Sequence, residues 1–300
     1  MDIRILQYFL TVAREESITK AAEVLHMTQP PLSRQLKDLE TELGKQLLIR
    51  GSKKVTLTED GMLLRKRAEE LVTLMEKTRV EVSSSDENIG GDVYIGCAET
   101  DAIALFARAA QNLQEKHSLI HYHIYSGDME HVTERLDKGL IDFGLVVGSN
   151  NTSKYDYMQL PIKDTWGILM RKDSCLAEKE TIRAEDLWDK PLIFSHQTIG
   201  NSQMLAWLGM DISKLNVVAT YDLVYNASQF AKEGFGYVVA LDKLINTTGD
   251  SSLCFRPLSP PLDINLYIIW KKYQVFSRAS NVFLLQLKTI LENEAKYRSL

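Results

Sequence analysis

The stretch from Ser17 to Gly61, SITKAAEVLHMTQPPLSRQLKDLETELGKQLLIRGSKKVTLTEDG, decides the fold of the first part of the chain. It reads as a helix, a tight turn, a second helix and a short basic hairpin. Ser17 stands where an N-cap belongs, and Ala21, Ala22 and Leu25 face inward, the paired alanines letting another helix cross closely. Met27 and Thr28 make the turn, and the Thr28 hydroxyl is expected to cap the helix that follows. Pro30 and Pro31 fall in the first turn of that helix, where a missing N–H costs least. Further along it, Leu32, Leu36, Leu39 and Leu43 form one apolar stripe. At about 100° per residue, Pro30, Ser33, Arg34 and Lys37 lie on the opposite side.

Charge along this stretch is sorted. The whole chain carries a net charge of −5, yet Val24 to Lys37 holds no acid, and neither does Leu43 to Thr58, which contains Lys45, Arg50, Lys53 and Lys54. Asp38, Glu40 and Glu42 crowd the C-terminal half of the helix, the end where its dipole disfavours them. That placement makes sense if the N-terminal half approaches phosphate. A polyanion responds to the local patch, because charges beyond about 8–10 Å are screened at cellular salt.

Outward from this stretch, Asp2 to Arg14 has helical apolar spacing, with Ile3, Leu6, Leu10 and Ala13 on one side. The strands LLI and VTL, joined by RGSKK, form the hairpin, a wing. Thr58 then caps a long helix running to about Val82. Leu64, Ala68, Leu71, Met75, Thr78 and Val82 alternate along it by four and three, a coiled-coil-like dimerisation seam. Such a helix is expected to need a partner along that seam. The segment 83–91, SSSDENIGG, is polar and glycine-ended and reads as a hinge.

Beyond the hinge the pattern becomes strand–helix alternation: DVYIGCA, HYHIYSG and IDFGLVV are strands with helices between them, predicting a parallel sheet covered by helices. WGILM, PLIF, NVVATYD and GYVVAL repeat the alternation, INLYIIWKK is a further strand, and Ser277 to Tyr297 is a terminal helix. Two such α/β units with the chain crossing between them leave a cleft where the strand carboxyl ends meet. The overall class is therefore α/β, with 300 residues enough for two or three cores.

The N-terminal run, with AAEVLHMTQPPLSRQLKDLETELGKQLLIR and the closing LTEDG, resembles the LysR-type transcriptional regulators. VTERLDKGLIDFGLVVG and FAKEGFGYVVAL are similar to the effector-domain patterns of that family; Leu48 is a departure, standing where the family more often has Phe. The resemblance implies a winged helix-turn-helix over residues 1–60, a linker and dimerisation helix over 58–82, a hinge at 83–91, and an effector-binding domain over 92–300 that resembles periplasmic binding proteins. Within that domain, lobe I covers about 92–161 and 266–300 and lobe II about 162–265. The family implies a homodimer or homotetramer on promoter or operator DNA, with RNA polymerase as a partner.

Residues and resemblance point to the same DNA contacts. Gln29, Pro30, Ser33 and Arg34 sit at the start of the recognition helix, with Thr28, Pro31 and Lys37 beside them. Arg34 suits a guanine edge or a phosphate, Gln29 an adenine edge, and the prolines thymine methyls. Arg50, Lys53 and Lys54 in the wing suit the minor groove or its phosphates, and Ser17 and Thr19 a phosphate.

By resemblance, a small-molecule effector lies between the lobes, touched by Ala98, Glu99, Thr100, Asp101, Ser126 and Gly127 from one side. Ser195, His196, Gln197, Thr198, Tyr225 and Asn226 touch it from the other. Hydroxyls and helix N–H groups there favour a small anion, whereas Glu99 and Asp101 favour a cationic group; both stay open.

No catalytic residue is assigned, because the chain has no GxSxG elbow, P-loop or dinucleotide fingerprint. His117, His121, His123 and His131 have no carboxylate or cysteine at a recognisable metal-ligand spacing, so no metal or cofactor is expected. Cys97, Cys175 and Cys254 read as separate reduced thiols. With no signal peptide or membrane span, the expected location is the cytoplasm. The alternative from another class is a two-lobed solute-binding or transport-associated protein without a DNA function, which leaves the first 90 residues unexplained.

Overall fold

A computed structural model describes residues 1–51, 54–83, 89–148 and 153–298. The chain divides into a unit of Met1–Ser83 and a unit of Ser84–Leu300. Lys53 and most of the segment read as a hinge lie outside the described residues.

The first unit contains α1 (Ile3–Glu15), α2 (Ile18–Val24), α3 (Gln29–Leu43), β1 (Leu48–Arg50), β2 (Val55–Leu57) and α4 (Glu59–Ser83). Its core joins Phe9 and Val12 of α1, Ala21 and Ala22 of α2, and Leu32, Leu36 and Leu39 of α3, with Leu48 filling the wing side. The buried face of α1 centres on Leu6, Phe9 and Val12, rotated from the expected Leu10 and Ala13, both only half-buried. Phe9 is the largest apolar group on the helix, and it sets which face turns in. Gly44 ends α3 in the left-handed conformation, φ 64°, which glycine adopts without steric cost.

The second unit contains β3 (Gly91–Cys97), α5 (Ile103–Gln114), β4 (Ile120–Ser126), α6 (Met129–Asp137), β5 (Phe143–Val147) and β6 (Tyr155–Arg171). These are followed by β7 (Leu192–Ser195), α7 (His196–Ile199), α8 (Ser202–Leu208), β8 (Val217–Tyr221) and α9 (Val224–Lys232). The chain finishes with β9 (Tyr237–Leu241), β10 (Leu253–Pro257), β11 (Asp263–Lys271) and α10 (Arg278–Arg298). The sheet order is β4-β3-β5-β11-β6-β9-β7-β8, with β10 on β6. It is mixed, which corrects the expectation of a parallel sheet. The β3–β4, β3–β5, β7–β8 and β7–β9 pairs are parallel, but every pair involving β6 or β11 is antiparallel. The chain enters the second half along β6 and returns along β11, so the two crossings run in opposite directions.

Each half has its own apolar core. One gathers Val93, Phe106, Leu145, Leu266 and Phe283; the other gathers Ile168, Leu192, Phe194, Val239 and Leu258. The β6–β11 register breaks between Asn265 and Tyr267, opposite the stretch that contains Pro161. Proline donates no ladder hydrogen bond, so an interruption of the pairing is where a sheet tolerates it.

Candidate nucleic-acid interface and ligand cleft

On α3, Gln29, Pro30, Pro31, Arg34 and Lys37 are exposed and Ser33 is half-buried, opposite the buried leucines. The Arg34 guanidinium and Lys37 ammonium have no partner among the described residues. Arg50 Nη1 donates to Ser33 Oγ at 3.1 Å, which ties the wing to this face. The Val55 N–H donates to the Glu16 carbonyl at 2.8 Å, setting β2 beside the start of α2. There the Ser17 hydroxyl caps the Lys20 N–H, Thr19 is exposed, and Lys54 Nζ pairs with Glu16 at 3.1 Å.

Thr28 occupies the N-cap position of α3 but makes no side-chain cap. The expected hydroxyl cap fails because such a cap accepts from the second or third helical residue, and these are Pro30 and Pro31, which have no N–H. The exposed Thr28 hydroxyl is left available. The acids at the other end of the helix have work of their own. Glu40 Oε1 accepts the Leu47 and Leu48 N–H groups at 2.8 and 3.0 Å, and Glu42 pairs with the N-terminal ammonium. Glu40 thus holds the chain as it turns into the wing.

The seam expected on α4 splits in two. Leu64 packs on the core of the first unit and Ala68 is fully buried, so neither is free for a second copy. Leu71, Met75, Thr78 and Val82 are exposed, and Met62, Leu63 and Leu74, absent from the expected seam, are exposed with them. Their exposure depends on packing against α1, which periodicity along α4 alone does not reveal.

In the second unit a cavity of about 90 Å³ is lined by Ala98, Glu99, Gly127, Ser195, His196, Gln197 and Thr198, as expected. Trp166, Tyr221, Asp222, Leu223 and Val224 line it too, and none of them was singled out in the sequence. It adjoins a wider cavity of about 870 Å³, the two sharing Asp128, Val147, His196, Gln197, Asn201 and Ile264.

Five expected residues fall outside the lining of this cleft. Thr100 is buried, its hydroxyl accepting the Ala102 N–H at 3.1 Å and facing Asp164, so it serves the turn into α5. Asp101 is exposed beside it. Ser126 bonds to the Cys97 thiol, whose pKa is raised by burial. Tyr225 and Asn226 follow Val224 in the first turn of α9 but turn away from this lining: Tyr225 is 66% exposed, and Asn226 lines a neighbouring cavity of about 350 Å³ that shares His196, Tyr221, Asp222 and Leu223 with the inner one.

Glu99 is the central group of the cleft. Its Oε2 accepts the Val224 N–H, so a carboxylate at the end of β3 in one half caps α9 in the other. Oε1 has no hydrogen-bond partner among the described residues. Burial raises the Glu99 pKa, and the Val224 bond only partly offsets this. For Asp128, burial pushes the carboxyl up, but bonds from the His131 N–H and ring outweigh it and hold the pKa below the usual range. Ser195 Oγ and Thr198 Oγ1 bond to each other at 2.6 Å, and His196 Nε2 lies 3.2 Å from Thr220 Oγ1. Among the described residues no group of three or more His, Cys, Asp or Glu side chains is placed to hold a metal ion.

A helical unit with an exposed basic helix face and a wing, followed by a two-halved α/β unit around a cleft, defines a ligand-responsive DNA-binding protein. The sequence families agree. Residues 3–62 match the bacterial regulatory helix-turn-helix proteins of the lysR family, and residues 86–291 match the LysR substrate binding domain. The chain belongs to the LysR family of DNA-binding transcriptional regulators. It is 35% identical to the HTH-type transcriptional regulator BsdA of Bacillus subtilis over 64% of this chain and 66% of that one. It is 26% identical to the uncharacterized HTH-type transcriptional regulator YwbI of the same organism over 99% of both. Among solved structures, full-length CbnR complexed with its target DNA matches with a TM-score of 0.74 at 15% identity, over 97% of this chain and all of that one. The solute-binding alternative is set aside, because it has no place for residues 3–62. These relatives are transcriptional regulators rather than enzymes.

Proposed function

We propose that this regulator reads its operator with the N-terminal half of α3 in the major groove. Arg34 and Gln29 reach base edges, and Thr28, Pro30, Pro31, Ser33 and Lys37 fit around them. Arg50 and Lys54, with Ser17 and Thr19, take flanking phosphates. The observation that carries this reading is the free, exposed Arg34 on the acid-free half of α3, with Arg50 brought to the same face by its bond to Ser33. The exposed residues of α4 from Met62 to Val82 join two copies, and pairs of dimers make the tetramer. The regulator works in the cytoplasm beside RNA polymerase; among the described residues no helix is long and apolar enough to cross a membrane.

A small-molecule effector occupies the cleft between the halves. The Glu99–Val224 bond joins the halves across it, so a ligand there changes how they are held and, through them, the spacing of the paired DNA heads. The test is selection of operators from random duplexes with the full chain, followed by salt titration and footprinting. A selected duplex should bind more tightly than random sequence, by a factor on the order of 10³ or more. Equal binding of the two would overturn the reading.

A further inference from the structure

The cleft contains the means to choose between anionic and cationic ligands. Four helices begin at its walls, and each has a first-turn N–H already bonded by a side chain of the cleft. Asp128 accepts from His131 at 2.8 Å, Ser195 from Thr198 at 3.2 Å, Asn201 from Gln203 and Met204 at 2.9 and 3.1 Å, and Glu99 from Val224. One or two of the donors at each helix start are thus engaged from within, which lessens the pull of these starts on an anion. Among the described residues no lysine or arginine lines the inner cavity, while Glu99, Asp128 and Asp222 all do. Lys154, at the outer cavity, has Asp137 at 3.4 Å.

Glu99 lines this space with a half-buried side chain, and its Oε1 has no hydrogen-bond donor among the described residues. Asp222 lies on the rim with its side chain 77% exposed, 3.8 Å from the His196 ring. Trp166, Leu223, Leu241, Leu244 and Ile264 give the wall an apolar side, while Ser195, His196, Gln197, Thr198, Asn201 and Tyr221 supply neutral or imidazole polar groups. An entering carboxylate would meet like charge and no free cation. An entering ammonium or amidinium would find an unsatisfied carboxylate oxygen, and its hydrocarbon part would find the apolar wall. Charge-assisted bonds of this kind are about twice as strong as neutral ones.

We propose that the effector is a small organic cation, an amine or amidine on an apolar body, whose nitrogen is held by Glu99 with Asp222 at the rim. This rests on the reading that the cleft is the effector site.

The test uses the full chain and matched probes in calorimetric titrations at neutral pH: phenethylamine, tryptamine and benzamidine against phenylacetate, indole-3-acetate and benzoate. The amines and the amidine should bind at least ~10-fold more tightly than their carboxylate counterparts. Glu99→Gln should weaken cation binding by about 10-fold and Asp222→Asn by about 3-fold. Asp222 is exposed, so the second variant still reports if the first folds poorly. Carboxylates binding as well as the cations, or improving in Glu99→Gln, overturn the proposal and leave the cleft reading intact. Cation binding unchanged in both variants also overturns it, as does no binding by either series. The cleft reading is tested separately by Gln197→Trp, an exposed lining residue enlarged to fill the cleft. Probes that still bind that variant at full strength sit elsewhere, and then the cleft reading falls as well.

Discussion

Arg50 Nη1 donates to Ser33 Oγ at 3.1 Å, so the loop end of the wing strand β1 is fastened to the N-terminal half of α3. Arg34, the next residue along, has no such tie. One guanidinium is placed by the fold and the other is left for an outside partner. Arg34→Ala should therefore leave the urea midpoint unchanged while weakening operator binding by about 1–3 kcal/mol if it reads a base. The loss would concentrate at one position of the operator. A uniform loss across sequences, with the salt slope reduced by about one, would reassign Arg34 to phosphate.

Lys54 offers a test in the opposite direction. Its ammonium pairs with Glu16 at 3.1 Å, with both side chains more than half exposed. An exposed pair contributes little to stability, about 0–1 kcal/mol, yet Glu16 offsets a charge beside the expected phosphate path. Glu16 lies in the left-handed region at φ 49°, so glutamine, which keeps the side-chain length, is the suitable replacement. Glu16→Gln should tighten DNA binding about 2–5-fold at low ionic strength, with the gain fading as salt is added. Anisotropy titrations over a salt series would show it, and weaker binding at low salt would place Lys54 away from DNA.

How much could be read from the chain follows from the range of each interaction. Opposing the leucine stripe of α3 needs only helical geometry, and so the exposure of Arg34 and Lys37 was legible. The Thr28 cap was misread although the information was local: two prolines remove the N–H groups such a cap requires. In the cleft, the turn after β3 and the start of α7 could be named. Trp166 and Val224 could not, because β6 and α9 bring them there through pairing and packing that periodicity does not encode. The Glu99–Val224 bond spans 125 residues and leaves no trace in the sequence. β10 also escaped notice, being five residues whose place is set only by pairing with β6.

On the proposed reading, the exposed apolar residues of α4 carry the assembly. Leu71 and Met75 are 43% and 46% exposed, whereas Ala68 is fully buried. The double variant Leu71→Lys, Met75→Lys should shift sedimentation toward the monomer and, by removing two-headed binding, weaken the operator complex on the order of 10²-fold or more. Leu64→Ala should act differently, lowering the unfolding free energy by about 2 kcal/mol with assembly retained, since Leu64 packs inward. If sedimentation of the lysine variant is unchanged, α4 does not hold the copies together.

Glu99 gives the chain a pH dependence whose sign can be worked out. Burial raises its pKa in the folded state above that of the unfolded chain, near 4.3. The folded state therefore holds this proton more tightly, and the contribution of Glu99 to stability is fully present below about pH 4.3 and lost as pH rises through the raised value. Glu99→Gln is uncharged throughout and keeps an oxygen for the Val224 N–H. Relative to the native chain, the variant should melt higher at neutral pH in the absence of ligand. The difference should shrink steadily as the solution is acidified through the carboxylate range. Thermal melts of both chains over that range would measure it. A difference independent of pH would mean that the Glu99 carboxylate is as well solvated in the cleft as in the unfolded chain.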